Sequence, residues 1–398
     1  MSQAGPRPGR WRLVVVGGGS AAAIQVRRGD VPPQEVLVVA ERLGTGMAFL
    51  GHSTLQSYAG ELLLSGRPEE LRAVMRPGDL RPSANEYDTY VQESLMRSGA
   101  SVTLARVMDI QQDAQGFVLS LRTPGGVRRQ VYADGVVLAT GSTPRRPPED
   151  LRAAGAITYD TVHRELAAGS TRRWEGMSVV IAGAGNSAMQ TAGLMAPDAR
   201  DVTILANRYI GMYPAESNDR FAWRAPSQLA YELVVKSARE CGRQPWNVPC
   251  VRHLVHETLT ADGGAIRWRY RETDNLGVLG SHSTAGRCRH ARAHRVGGDD
   301  ADGLWEETRR ADSTVVVWAA GCTPVYPPGE LTGSLAREPD GTLRRDAHGR
   351  TDVPGLHVTG ACAGQRSVNE TVPARTRGPV TGPASGEEPG LPVERVTA

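Results

Sequence analysis

The sequence predicts an α/β fold built on two parallel-sheet units, and three observations predict it. The first is Leu13-Val14-Val15-Val16-Gly17-Gly18-Gly19-Ser20-Ala21-Ala22, an apolar run that breaks into glycines and then into small, helix-compatible residues. The second is a further copy of that layout, Val179-Val180-Ile181-Ala182-Gly183-Ala184-Gly185-Asn186-Ser187-Ala188. The third is a pair of apolar strands, Val136 to Pro144 and Val315 to Pro324, that both run into a glycine and then Thr-Pro. Strand, glycine turn and helix start form the arrangement in which backbone N–H groups approach a diphosphate, whose charge the helix N-terminus favours. Two such units predict two bound dinucleotides.

Length and composition agree. A chain of 398 residues, 40% of them apolar, can bury two cores. No apolar run approaches the ~18 residues that would cross a bilayer, and Met1 to Arg12 has no apolar stretch of the kind a signal peptide carries. A cytoplasmic protein without a membrane partner is the expectation. A net charge of +3, with no strip of basic residues interleaved with aromatics, argues against a nucleic-acid partner. No two of Cys241, Cys250, Cys288, Cys322 and Cys362 stand in the CxxC spacing of a redox dithiol. Cys288, His290 and His294 make half a metal site with no second ligand pair, so no metal is expected.

In the first half, a helix is expected over Ser20 to Arg28, ended by Val31-Pro32-Pro33, and a strand over Glu35 to Ala40. Glu41 at that strand's end lies 22 positions beyond Gly19, where a carboxylate accepts hydrogen bonds from a ribose. Arg42 follows it. Residues 44–66 read as a loop and short helix against the cofactor, with Gln56 a cofactor contact and His52 a candidate for substrate. A helix is expected over 87–97, and strands over 101–104, 116–122 and 127–132, the last two joined through Gly125-Gly126. The strand through Leu138 ends at Thr140-Gly141, the edge where open parallel sheets bind ligands. Pro144, Pro147 and Pro148 mark the exit.

In the second half, residues 149–178 read as a helical connection, 187–195 as the helix after the second turn, and 201–206 as a strand. No acid stands at its end. Arg208 suits a 2′-phosphate, which makes the second dinucleotide NADPH and leaves FAD or NAD to the site with Glu41. Residues 210–223 have the composition of a site-lining or interface loop, with Asn218 a candidate substrate contact. A helix is expected over 228–240, a strand over 266–271 and a long polar loop over 281–310. The strand 314–318 reads as the return to the first unit, 355–362 as a last short strand ending at Gly360-Ala361, and the residues from 373 onward as a disordered tail.

The order of these pieces resembles the two-dinucleotide-binding-domain flavoproteins, a superfamily that spans thioredoxin-reductase-like enzymes and class B flavin monooxygenases. The likeness covers residues 11–365. It implies two Rossmann-like dinucleotide-binding domains, the NADPH domain inserted into the FAD domain, divided as 11–165, 172–312 and 313–372. Gly17, Gly18, Gly19, Ser20, Ala21, Ala22, Glu41, Arg42, Gln56, Thr140, Gly141, Gly360 and Ala361 then face FAD, and Gly183, Gly185, Asn186, Ser187, Ala188 and Arg208 face NADPH.

Departures sort the superfamily. Disulfide reductases carry a redox cysteine pair and end in Gly-Asp, whereas this chain has no CxxC and carries Gly360-Ala361. Monooxygenases commonly lack that acid, and Asn186-Ser187-Ala188 is similar to flavin-containing members. Their FxGxxxH fingerprint falls on Ala153, Gly155 and Tyr159, of which the glycine alone matches. Thr54-Leu55-Gln56 and Glu216 to Phe221 look loosely like N-hydroxylating enzymes. The resemblance thus implies hydride transfer from NADPH to FAD, reaction with O2 to a C4a-hydroperoxide, and oxygen transfer to a nitrogen or other soft atom of a small-molecule substrate. No Ser/His/Asp or Cys/His constellation is visible, so no catalytic side chain is assigned. A flavoprotein reductase or oxidase without a redox disulfide is the alternative, and a binding module with its redox cycle lost is a third. Self-association into a homo-oligomer is left open.

Overall fold

The computed structural model describes residues 9–46, 51, 54–55, 57–170, 172–183, 185–196, 198–206, 213–214, 223–224, 251–279, 293–295, 304–365, 368 and 371–376. The chain begins with β1 (Arg10–Val16), α1 (Ser20–Arg28), β2 (Val36–Ala40), α2 (Pro68–Arg72), α3 (Ala84–Met96), β3 (Ser101–Leu104), β4 (Arg106–Asp113), β5 (Gly116–Arg122), β6 (Arg128–Leu138) and β7 (Ser142–Pro144). There follow α4 (Glu149–Ala153), β8 (Ile157–Thr158), α5 (Tyr159–Ala167), β9 (Ser178–Ala182), α6 (Asn186–Met195), β10 (Asp201–Ala206), β11 (Tyr213–Pro214) and β12 (Trp223–Arg224). The remainder holds β13 (Val251–Asp262), β14 (Ala265–Leu279), β15 (Ala293–Arg295), β16 (Leu304–Arg310), β17 (Thr314–Trp318), β18 (Cys322–Pro324), α7 (Glu330–Ser334), β19 (Leu356–Val358) and a closing turn, Gly360–Ala363.

Two sheets organise these elements. The first has the order β3-β2-β1-β6-β5-β4, with β19 alongside β6. Strands β1, β2, β3 and β19 are parallel to one another through β6, while β4, β5 and β6 form an antiparallel meander. Along β1, Leu13 and Val15 pack toward α1 and α3, and Val14 and Val16 pack toward the meander. Burial on both faces explains why the strand reads as an unbroken apolar run. Helix α3 begins earlier than the periodicity suggests because Ser83 and Glu86 form a capping box, each side chain bonding the other's backbone N–H.

The second sheet has the order β15-β16-β14-β13-β10-β9-β17-β8, with a parallel half from β13 to β8. Val179 and Ile181 of β9 meet α5 and α6, and Val180 meets Trp268 of β14. The chain is therefore α/β, with two Rossmann-like sheets, as the sequence predicts.

Three expectations are corrected. Strand β17 does not return to the first sheet; it pairs with β9 and β8, and the return comes after it, through β18 paired with β7. The two Thr-Pro segments thus form a two-stranded crossing. The polar stretch 281–310 is not loop throughout, since β15 and β16 lie within it; buried Glu307 and Arg309 point inward along β16 where a strand pattern calls for apolar residues. Residues 373–376 of the expected tail are docked on α1, where the Gln25 side chain exchanges two hydrogen bonds with the Ala374 backbone, at 2.7 and 3.2 Å. The helix expected at 228–240 and the tail from 377 lie outside the described residues, as do Cys288 and His290. No helix among the described residues is long and apolar enough to cross a membrane.

Candidate functional site

Both glycine turns are built the same way. Gly17 has φ +123°, and a Cβ there would lie 2.2 Å from the Ala139 carbonyl oxygen; Gly183 has φ +119°, with its Cβ 2.3 Å from the Ala319 oxygen. Gly17 N–H donates to Val39 and Gly183 N–H to Leu205, both at 2.8 Å. Ala139 N–H returns a bond to Val16 and Ala319 N–H one to Ala182. Each turn is therefore clamped between the two strands that flank its own, and a side chain is excluded there by backbone.

Gly18 is likewise held, since a Cβ would sit 2.3 Å from the Arg42 carbonyl, but Gly19 has no protein atom closer than 3.7 Å to such a position. Open space in front of Gly19 suits a ligand's close approach. Gly19 caps α1 without a side-chain acceptor, and the first intrahelical bond is from Ala23 N–H to Gly19. The N–H groups of Ser20, Ala21 and Ala22 are thus orphan donors of a helix start. An anionic diphosphate fits this cradle by charge and by space.

Gly17, Gly18, Gly19, Ser20 and Ala21 wall a cavity of about 580 Å³, which also takes in Glu41, Arg42, Thr140, Gly141, Gly360 and Ala361. Glu41 projects from the end of β2 with its carboxylate 3.6 Å from Arg106, open to a ribose hydroxyl. Arg42 does different work: its guanidinium donates to the Thr45 carbonyl and stands 4.0 Å from Asp88. Asp88 accepts from the backbone and hydroxyl of Thr45 and from Gln92, and Gly44 N–H bonds Gly18. That network fixes the loop after β2 against the first turn. Gly360, at φ +75°, packs so tightly on Ala21 that a Cβ would lie 2.4 Å from the alanine's own.

Ser187 and Gln190 of α6 line the same cavity, as do Tyr159 and His163 of α5 and Cys322 of β18. The sequence singled out Ser187 among these. The Tyr159 hydroxyl lies 3.3 Å from the Cys322 sulfur and is bonded to Ser187; burial, then the thiol, raises its pKa. Burial pushes His163 down to about 4, with nearby Asp160 opposing, so the imidazole is neutral near pH 7. Cys322 is exposed, whereas Cys362 is buried beneath Leu138 and Thr359 carbonyls and its pKa is raised by burial. Tyr159 occupies the position where the monooxygenase fingerprint carries histidine, a signal the sequence did contain. Gln365, also on the cavity wall, gave none.

Gly183, Gly185 and Ala188 sit at the second turn and the start of α6 as expected, and Gly185 caps that helix without a side-chain acceptor. Asn186 opens it. His52, Gln56, Arg208 and Asn218 lie outside the described residues.

A family model described as pyridine nucleotide-disulphide oxidoreductase matches residues 11–223. The chain belongs to that family. Its enzymes use FAD and NAD(P)H, the pair the two glycine units call for. No curated protein matches the sequence. Solved structures of the same fold include bacillithiol disulfide reductase from Bacillus cereus, 16% identical over 91% of this chain and 94% of that one, TM-score 0.57. They include a flavin-containing monooxygenase from Stenotrophomonas maltophilia, 18% identical over 91% and 94%, TM-score 0.56. Thioredoxin reductase from Lactococcus lactis is 15% identical over 88% and 90%, TM-score 0.51. At such identities the likeness is one of fold, and disulphide oxidoreductases and a monooxygenase share it.

Proposed function

We propose that this member of the pyridine nucleotide-disulphide oxidoreductase family is an FAD- and NADPH-dependent monooxygenase that hydroxylates a nitrogen, or another soft nucleophile, of a small molecule. One observation carries the reading. Helix starts from both glycine units open on a single cavity, and Cys322 is the one thiol among its described lining residues. With no CxxC in the chain, electrons reaching the flavin leave for a diffusible acceptor, and O2 is the acceptor of this proposal.

FAD, when bound, supplies the hydride acceptance and the oxygen chemistry. The protein's part is positional. Gly17 to Ala22 hold the diphosphate, Glu41 the ribose, and Thr140, Gly141 and Ala361 border the flavin end. Ser187, with Gly183, Gly185, Asn186 and Ala188 behind it, receives the second nucleotide, and Arg208 selects its 2′-phosphate. Neutral His163 and protonated Tyr159 bring no charge to the wall, which suits a site that must keep water away from a reactive oxygen donor. Asn218 and His52 are proposed substrate contacts.

The test is coupling. With FAD-loaded protein, NADPH and O2, a panel of primary amines should include one whose hydroxylated product appears in near-equal amount to the NADPH consumed. Hydrogen peroxide equal to NADPH across the whole panel would favour the second reading, an NADPH-dependent reductase or oxidase. Cys322, exposed in the cavity, favours that reading should the acceptor be a small-molecule disulfide, which the reduced flavin would cleave to thiols.

A further inference from the structure

We infer that Gln365 is a ligand of the FAD diphosphate, donating from its side-chain amide beside the first turn of α1. Gln365 is 8% exposed and lines the cavity. Gly360 N–H donates to its Oε1, and the Thr359 hydroxyl lies 3.2 Å from the same atom. An N–H group can only donate, so the atom it faces must be the amide oxygen, and the orientation of the side chain is fixed. The NH2 group is then left with two donors. Its backbone N–H donates to the Gly360 carbonyl at 3.2 Å, but the side-chain NH2 makes no hydrogen bond among the described residues and is not sealed from the cavity.

The place of that amide follows from its neighbours. It is tied to Gly360, and Gly360 rests on Ala21, whose N–H is one of the orphan donors of α1. A neutral donor there adds to the cradle, while Ala361 leaves no carboxylate beside it to repel a diphosphate. Donation to a charged oxygen is the stronger kind of hydrogen bond. The inference rests on the family's cofactor and not on the proposed oxygen chemistry, so turnover is not its readout.

The experiment compares Gln365→Glu and Gln365→Leu with the unaltered protein, using FAD and ADP as probes and the thermal midpoint of each apoprotein as a check on folding. Glutamate keeps an oxygen for Gly360 N–H but turns a second oxygen toward the diphosphate; leucine removes both functions. Both variants should bind FAD roughly ten- to a hundredfold more weakly, ADP should weaken by a similar factor, and apoprotein midpoints should stay close for Gln365→Glu. Normal FAD affinity in Gln365→Glu would reduce the residue to a support for Gly360 and overturn the inference. So would a loss confined to FAD with ADP unaffected.

Discussion

Gly17 carries the most stringent constraint in the site, because its missing Cβ is excluded by the Ala139 carbonyl rather than by a movable side chain. Gly17→Ala forces β1 and β6 apart at a positive φ and should cost on the order of 3 kcal/mol. Purified variant should lose bound FAD together with several degrees of thermal midpoint; retention of both would refute the clamp. Glu41→Gln should behave oppositely. Its carboxylate is exposed and only weakly engaged by Arg106, so apoprotein stability should move by less than about 0.5 kcal/mol, while FAD affinity falls about tenfold as a charged acceptor becomes neutral. Equilibrium titration of the apoprotein with FAD checks this. Residues of this kind were legible in the sequence because backbone geometry and ribose chemistry demand specific types at fixed offsets. His163, Cys322 and Gln365 were not, because each reaches the cavity through a tertiary contact that no spacing encodes.

At the scale of elements, strand β16 shows where periodicity fails. Arg309 is buried under Trp268, its guanidinium carbon 5.7 Å from the ring, and bonded to Ser178 and Asp201, while buried Glu307 accepts from Tyr270 and stands 3.5 Å from the same guanidinium. Charged residues paired with one another fill an inward-facing row, so the strand reads as polar loop. Arg309→Met would take from buried Glu307 the guanidinium beside it, while Asp201 keeps Arg200 at 3.5 Å, and should destabilise by about 3 kcal/mol, seen as a lower urea midpoint. An unchanged midpoint would mean that the network adds nothing. Strand β4 escaped prediction for a related reason: with Val107 and Ile110 its only buried positions, its alternation is broken by the bulge between Val107 and Asp109. The strongly apolar strands β1, β2, β6, β9 and β17 were all visible, though which sheet β17 joins was not; the choice is made by the crossing at β7 and β18 that lies beyond it.

Across the whole molecule, two buried histidines tie stability to pH. His163 and His357 are each pushed down to about 4 from 6.5, chiefly by burial; Arg350 adds to the effect at His357, against Asp30 and Asp346. The unfolded chain therefore binds protons that the folded chain refuses. Stability is fully present above pH 6.5 and declines as pH falls toward 4, by up to about 3 kcal/mol for each histidine. The urea midpoint should drop between pH 7 and pH 5, and His357→Gln should flatten the drop; a midpoint constant over that range would contradict the assignment.

In the proposed reaction electrons pass from NADPH through FAD to a diffusible acceptor, with no redox disulfide in the chain between. Anaerobic titration of the FAD-loaded protein with NADPH, followed by flavin absorbance, tests it most directly. One equivalent of NADPH per flavin should bleach the flavin completely, with no earlier phase. Uptake of two equivalents, the first with the flavin still oxidised, would place a reducible disulfide in the protein and contradict the account.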